Sequence, residues 1–419
     1  MGVNTDPAAT RIGILSSPAN AHARRWAGAL AAVGYPVHLY TADPAPVDIP
    51  GVCVRTLNPA VRRLTYWHYV WLAGALRRQV QADGITVLHP LHLTPYGSWA
   101  LWSHTGLPIV AAAMGADVLE YLPPTDPSYI PPERAWANSS GLAHAWHSHY
   151  HQVKRRYFGW QVRRVVRQAA ALTVDSQVVG QALTRYLGAD PNRIHLVRWG
   201  IDPTQLEPTP QAIEEVRTLL RLEPHQRILL SPRGLNAVYQ ADRILEAFEQ
   251  LLLTQTLPEP WVAVMLGAGY GLGTPMVETC KRLANAWPHR FRWCTHYLNA
   301  EQMVALWSLT DVMIAIPVAD AYSSALAEAR WAGVVPIVNA LPAVCEVAEH
   351  GTHAYILPDT RVPTLVEACR TVLNNLPLWQ ERIRQPNREW LLRHGLLGRG
   401  VEQFRRILQH LPPGSTRAV

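Results

Sequence analysis

Short apolar runs of strand character alternate with helical stretches along this chain, and the alternation runs twice. In the first half the runs are RIGIL (11–15), PVHLY (36–40), TVLHPL (86–91), PIVAAAM (108–114), ALTVDS (171–176) and IHLVRWG (194–200), with helical stretches such as 23–33 and 66–82 between them. The pattern restarts with RILLSPRG (227–234), WVAVMLGAG (261–269), FRWCTHY (291–297), DVMIAIP (311–317) and VVPIVNA (334–340), separated by helical stretches such as 242–253 and 300–309. Strands alternating with helices predict a parallel sheet, because the return to the same sheet end is a helix laid on its face. The stretch 202–216, DPTQLEPTPQAIEEV, carries three prolines and reads as the linker between two α/β halves. The expected domains are 1–203 and 204–389, with a C-terminal helix in 390–419 packing back on the first. Two such halves with one hinge leave an interdomain cleft, where folds of this kind bind ligands. A proline-rich segment, EYLPPTDPSYIPPERAW, predicts an irregular loop over 120–150.

A chain of 419 residues has room for two cores, and its balance of 48% apolar to 16% charged residues is that of a globular protein. Cys53, Cys280, Cys294, Cys345 and Cys369 are scattered with no C-x-x-C pair, which argues against a disulfide framework or a zinc site. The N-terminus lacks the basic-then-apolar pattern of a signal peptide. The longest apolar candidate, Trp99 to Met114, is broken by Ser103, His104, Gly106 and Pro108, so no membrane span is expected. The expectation is a soluble cytoplasmic protein. Its formal charge of +7 points to an anionic partner: a nucleotide, a phosphorylated substrate or an acidic membrane surface.

The residues that carry chemistry cluster at strand exits. Arg233 and Gly234 follow the RILLS run, where open α/β sheets bind ligands and an arginine can hold a diphosphate bidentately. Gly267 and Gly269 in LGAG permit a tight turn and close backbone approach. In DAYSSALAEARWAG (320–333), Asp320 and Glu328 stand eight positions apart, a spacing that puts both on one face of a helix. They either decorate a solvated helix or both reach one ligand. Ser323, Ser324, Ala325 and Leu326 would then form a first helical turn whose amides favour anions. A nucleotide sugar needs this set: donors for the diphosphate and a carboxylate for each polyol end.

These pieces resemble a retaining glycosyltransferase of family 4, with the GT-B fold of two facing Rossmann-like domains. The resemblance is carried by SSPANAHARRWAGAL, AAMGADVL, VDS, RWGID, PRGLNAVYQADRILEAF, LGAG, ADAYSSALAEARWAGVVPIVNALPAVCEVAEHG and ILPD, in that order. It implies hexose-type transfer from a nucleotide-diphosphate sugar to a hydroxyl of a glycan, a lipid-linked or a small-molecule acceptor. The implied mechanism is front-face displacement with retention, with no cofactor and no divalent metal. The family's E-x7-E signature stands here as Asp320-x7-Glu328, so sugar recognition maps to Asp320 and ribose binding to Glu328. Phosphate binding maps to Arg233 and to the backbone at Ser323–Leu326. Relatives place a lysine a few residues beyond the arginine, where Ala237, Val238 and Tyr239 stand here. Losing a cation where charge develops costs about 3 kcal/mol of barrier, and either the Tyr239 hydroxyl substitutes or Tyr239 is a packing residue.

In the first half, Ser17, Asn20 and His22 follow the first strand and are assigned to the acceptor. Asp117 in MGAD either orients the acceptor hydroxyl or caps the next element. HAWHSHYH (144–151) sets His147 and His151 at metal-ligand spacing with no carboxylate or cysteine nearby, so loop or surface histidines are the alternative. The run 154–167, KRRYFGWQVRRVVR, is basic with interleaved aromatics. It reads as peripheral contact with the inner membrane face or as a solvated helix face. No nucleic-acid reading module accompanies it. A GT-B sugar-nucleotide epimerase and a non-catalytic nucleotide-sugar-binding partner remain as alternatives.

Overall fold

The computed structural model describes residues 9–43, 47–57, 66–126, 129, 142–267 and 275–411. The chain divides into two compact units. Among the described residues, one comprises those up to 199 and those from 397 on, the other those of 200–396.

In the first unit the strands are β1 (Ile12–Leu15), β2 (Val37–Thr41), β3 (Val52–Thr56), β4 (Val87–Pro90), β5 (Val110–Ala113), β6 (Ala171–Val174) and β7 (Ile194–Leu196). They form a sheet of order β3-β2-β1-β4 and a second of order β5-β6-β7, all parallel. Bridges Leu88–Ile109 and Leu91–Ala112 join the two edges. Trp26, on the Ala21–Ala32 helix, stacks on Trp199 at 5.0 Å and meets the edge of Phe404 at 5.5 Å. Phe404 belongs to the helix Leu397–Gln409, so a segment encoded after the whole second unit completes the core of the first. Gly400 is required there, because a Cβ would stand 2.3 Å from the Arg198 carbonyl oxygen.

The second unit has one six-stranded parallel sheet of order β10-β9-β8-β11-β12-β13. Its strands are β8 (Arg227–Ser231), β9 (Trp261–Leu266), β10 (Phe291–Cys294), β11 (Val312–Ala315), β12 (Val335–Asn339) and β13 (Tyr355–Leu357). The inner strands are continuous apolar runs because helices cover both faces, giving separate apolar clusters on the two sides. The strand order reverses between β1 and β4 in one unit and between β8 and β11 in the other. In open α/β sheets these switch points are where ligands bind.

Several expectations are corrected. Residues 66–82 form two helices, Tyr66–Trp71 and Ala73–Ala82. The expected linker becomes helical at Pro210, capped by the Thr209 hydroxyl, since proline suits the first turn of a helix. The segment 142–168 is one long helix and not loop, although much of the proline-rich stretch before it lies outside the described residues.

Candidate functional site

The site of the second unit is built from the loops after β8 and β11, the two strands beside the switch point. After β8 the chain passes Pro232 and Arg233, turns through Ala237–Tyr239 with Asn236 as its cap, and enters the helix Ala241–Thr254. After β11 it passes Asp320 and enters the helix Ser324–Ala332. The loops are bonded to each other: Val318 N donates to Val238 O at 2.7 Å. Gln240, held at φ 50°, donates from its buried side chain to Ile316 O at 2.6 Å. Three side chains converge on Arg233 as a result. Arg233 Nη1 donates to Asp320 Oδ2 (3.2 Å) and to Ser323 Oγ (3.3 Å), and its guanidinium lies 4.2 Å from the Tyr239 ring centroid. The Tyr239 ring packs on the Arg233 guanidinium.

Ser323 caps the helix by accepting from Leu326 N (3.3 Å), so Ser324 and Ala325 occupy the first turn, whose amides have no intrahelical partner. Asp320 lies before this helix. That is where the assignment of the first turn to Ser323–Leu326 puts it, with Glu328 deeper on the helix, so the two acids do not share a helical face. Glu328 is fixed from another element: Trp307 Nε1, on the helix Ala300–Leu309, donates to its Oε2 at 3.1 Å. Arg330, on the buried side of the same helix, donates to Asn387 Oδ1 (2.6 Å) and Val347 O (2.8 Å). Burial pulls its pKa down to about 10, which leaves it charged at neutral pH.

Gly267 has a close neighbour within its own unit. Its amide donates to Cys294 O at 2.9 Å, and a Cβ there would stand 2.3 Å from Trp293 Nε1. The glycine makes room for an indole. Gly269 lies outside the described residues.

In the first unit the loop after β1 holds the expected acceptor residues in local bonds. Ser17 Oγ accepts from Ala19 N (3.3 Å), and Asn20 caps the Ala21–Ala32 helix by accepting from His22 N (2.9 Å). His22 is exposed on the first turn of that helix. Asp117 is buried, and each of its oxygens accepts a backbone amide: Oδ2 from Leu93 (2.7 Å) and Oδ1 from Met114 (2.8 Å). It ties the loop after β4 to the loop after β5. Burial pushes its pKa up, against the opposing pull of His92 and of those amides. His92 itself, which the sequence did not single out, is held at φ 100°, a conformation that costs a non-glycine residue roughly 1–3 kcal/mol.

The four histidines of 144–151 lie on the Leu142–Gln168 helix, with their side chains outside the described residues. Among the described residues no cluster of three or more His, Cys, Asp or Glu is gathered to hold a metal, and no helix is long and apolar enough to cross a membrane.

Comparison with known proteins follows the same division of the chain. A family model described as Glycosyltransferase Family 4 matches residues 19–205, and one described as Glycosyl transferases group 1 matches residues 213–390. No curated protein matches the sequence significantly. Among solved structures, sucrose-phosphate synthase from Thermosynechococcus elongatus superposes with a TM-score of 0.75 at 14% identity, covering 96% of this chain and 99% of that one. HepE of Anabaena in complex with UDP-glucose gives a TM-score of 0.70 at 11% identity, over 94% and 98%. WaaG, a glycosyltransferase involved in lipopolysaccharide biosynthesis, gives 0.66 at 15% identity, over 95% and 100%. At such identities the superpositions speak for the fold, while the two consecutive family models speak for descent. The chain belongs to the family 4-like GT-B glycosyltransferases.

Proposed function

We propose that this enzyme moves a hexose-type sugar from a nucleotide-diphosphate sugar to a hydroxyl of a glycan, lipid-linked or small-molecule acceptor, with retention and without a divalent metal. The observation that carries the reading is the convergence of Arg233, Ser323 and a helix N-terminus at the β8/β11 switch point. A guanidinium beside first-turn amides is a site for a diphosphate. Glu328 is assigned to the ribose and Asp320 to the transferred sugar. HepE, which shares the fold, was solved with UDP-glucose, which supports a donor of this class.

In this reading Arg233 and the amides of Ser324 and Ala325 stabilise charge on the leaving diphosphate, in place of a metal ion. The acceptor oxygen approaches from the leaving-group side, and the departing phosphate takes its proton. Ser17, Asn20 and His22 are assigned to the acceptor. Asp117 is assigned a positioning role, because both of its oxygens already hold loop backbone. Peripheral membrane contact is assigned to the basic run 154–167.

A thermal-shift screen of nucleoside diphosphates and their sugars tests the donor assignment. One nucleotide is expected to raise the melting temperature strongly, and Glu328→Ala to abolish that rise. No rise with any of them in the unsubstituted protein overturns the site.

A further inference from the structure

Arg233 is the cation assigned to the donor diphosphate, and it already pairs with an anion of its own chain. Nη1 meets Asp320 Oδ2 at 3.2 Å, while Asp320 Oδ1 accepts from Ala321 N at 3.0 Å. The side chains of Arg233 and Asp320 are only 22% and 19% exposed, so water screens the pair less than it would a surface pair. The Tyr239 ring covers one face of the guanidinium. Anions must therefore approach along its edge, the side from which a guanidinium donates hydrogen bonds and the side on which Asp320 sits. A phosphate brought to the Ser323 cap meets the like charge of Asp320 unless that carboxylate gives up its place.

We propose that Asp320 occupies the position on Arg233 that the donor diphosphate takes on binding. The proposal rests on the donor-site reading above and adds a regulation to it. Donor binding exchanges one anion for another on Arg233 and releases the Asp320 carboxylate toward the transferred sugar. After transfer, the return of Asp320 to Arg233 competes with the spent nucleoside diphosphate and favours its departure. The exchange also sets a threshold for ligands. A diphosphate has the charge and the oxygens to displace a carboxylate from a guanidinium, and a monophosphate has less of both.

Calorimetric titration of the preferred nucleoside diphosphate and its monophosphate into the wild type, Asp320→Asn and Asp320→Ser tests this. Removing the competing carboxylate is expected to tighten diphosphate binding roughly tenfold, the scale of one charge-assisted hydrogen bond, while sugar transfer falls. The monophosphate is expected to gain a larger factor, a change in selectivity that simple loosening of the loop does not produce. The serine variant guards against distortion by the asparagine amide, and melting temperatures confirm that both variants are folded. A wild type that binds the diphosphate, with both folded variants binding it equally or more weakly, overturns the exchange. A wild type that binds no nucleoside diphosphate overturns the donor-site reading itself, which is a separate result.

Discussion

At the scale of single residues, the site proposed for the donor depends on side chains whose partners lie far away in the chain. Glu328 accepts the indole N–H of Trp307, on another helix, at 3.1 Å. Trp307 is otherwise buried and apolar in its contacts, so nothing in its local sequence marks it as part of a site. Replacing it with phenylalanine removes that bond and lets the carboxylate swing. Trp307→Phe is expected to weaken nucleoside diphosphate binding by roughly three- to tenfold, the size of one hydrogen bond to a charged group. Binding of inorganic pyrophosphate, which has no ribose for Glu328 to hold, is expected to stay unchanged. Equal losses for both ligands in titration would mean that Trp307 acts through helix packing alone. Asp320 and Arg233 were legible as candidates from their positions after strand runs. Their pairing was not, because it joins residues 87 positions apart.

At the scale of elements, most strands were visible as apolar runs, and the two missed are instructive. β3 and β13 lie at sheet edges, and their apolar runs are short, VCV ending at Arg55 and AYIL ending at Pro358. A sharper element-level feature is the seam between β4 and β5. His89 on β4 is fully buried; its Nδ1 bonds Val110 O on β5 (2.6 Å), and its Nε2 accepts from Trp26 Nε1 (2.9 Å). Both ring nitrogens are used by the neutral imidazole, and burial pulls the pKa from 6.5 down to about 4. The sign follows from proton uptake. Between about pH 6.5 and 4 the unfolded chain binds a proton at this residue that the native state refuses, so stability falls as pH falls through that window. The full effect is on the order of 3 kcal/mol. Denaturant midpoints of the wild type are expected to drop across this range, and His89→Gln to lose that part of the slope. An unchanged slope in the variant would exclude His89 as the source.

At the scale of the whole molecule, the net charge of +7 is partly gathered on the Leu142–Gln168 helix. Arg156, Trp160, Arg163 and Arg167 are exposed at i, i+4, i+7 and i+11, which puts them on one side, and Trp160 is 50% exposed with Arg164 over its ring at 5.0 Å. Arg155, in the same basic run, is turned inward to the Tyr129 hydroxyl at 3.0 Å. The protein is expected to sediment with anionic phospholipid vesicles at low salt and to be released by added salt. The combined Arg156→Glu, Arg163→Glu and Arg167→Glu variant is expected to stay in the supernatant. Undiminished sedimentation of that variant would leave the stripe as a solvated helix face. The sequence by itself determined the α/β class, the parallel strand pattern, the family and the candidate residues, since periodicity and short motifs are local and survive in one dimension. Only the tertiary structure decided that Asp320 sits on Arg233, that Tyr239 covers it, that Gly267 yields to Trp293 and that Asp117 holds two loops. Each of the four depends on how separate segments come together: which loops meet at a switch point is set by sheet order, and a contact there joins groups that no local pattern links.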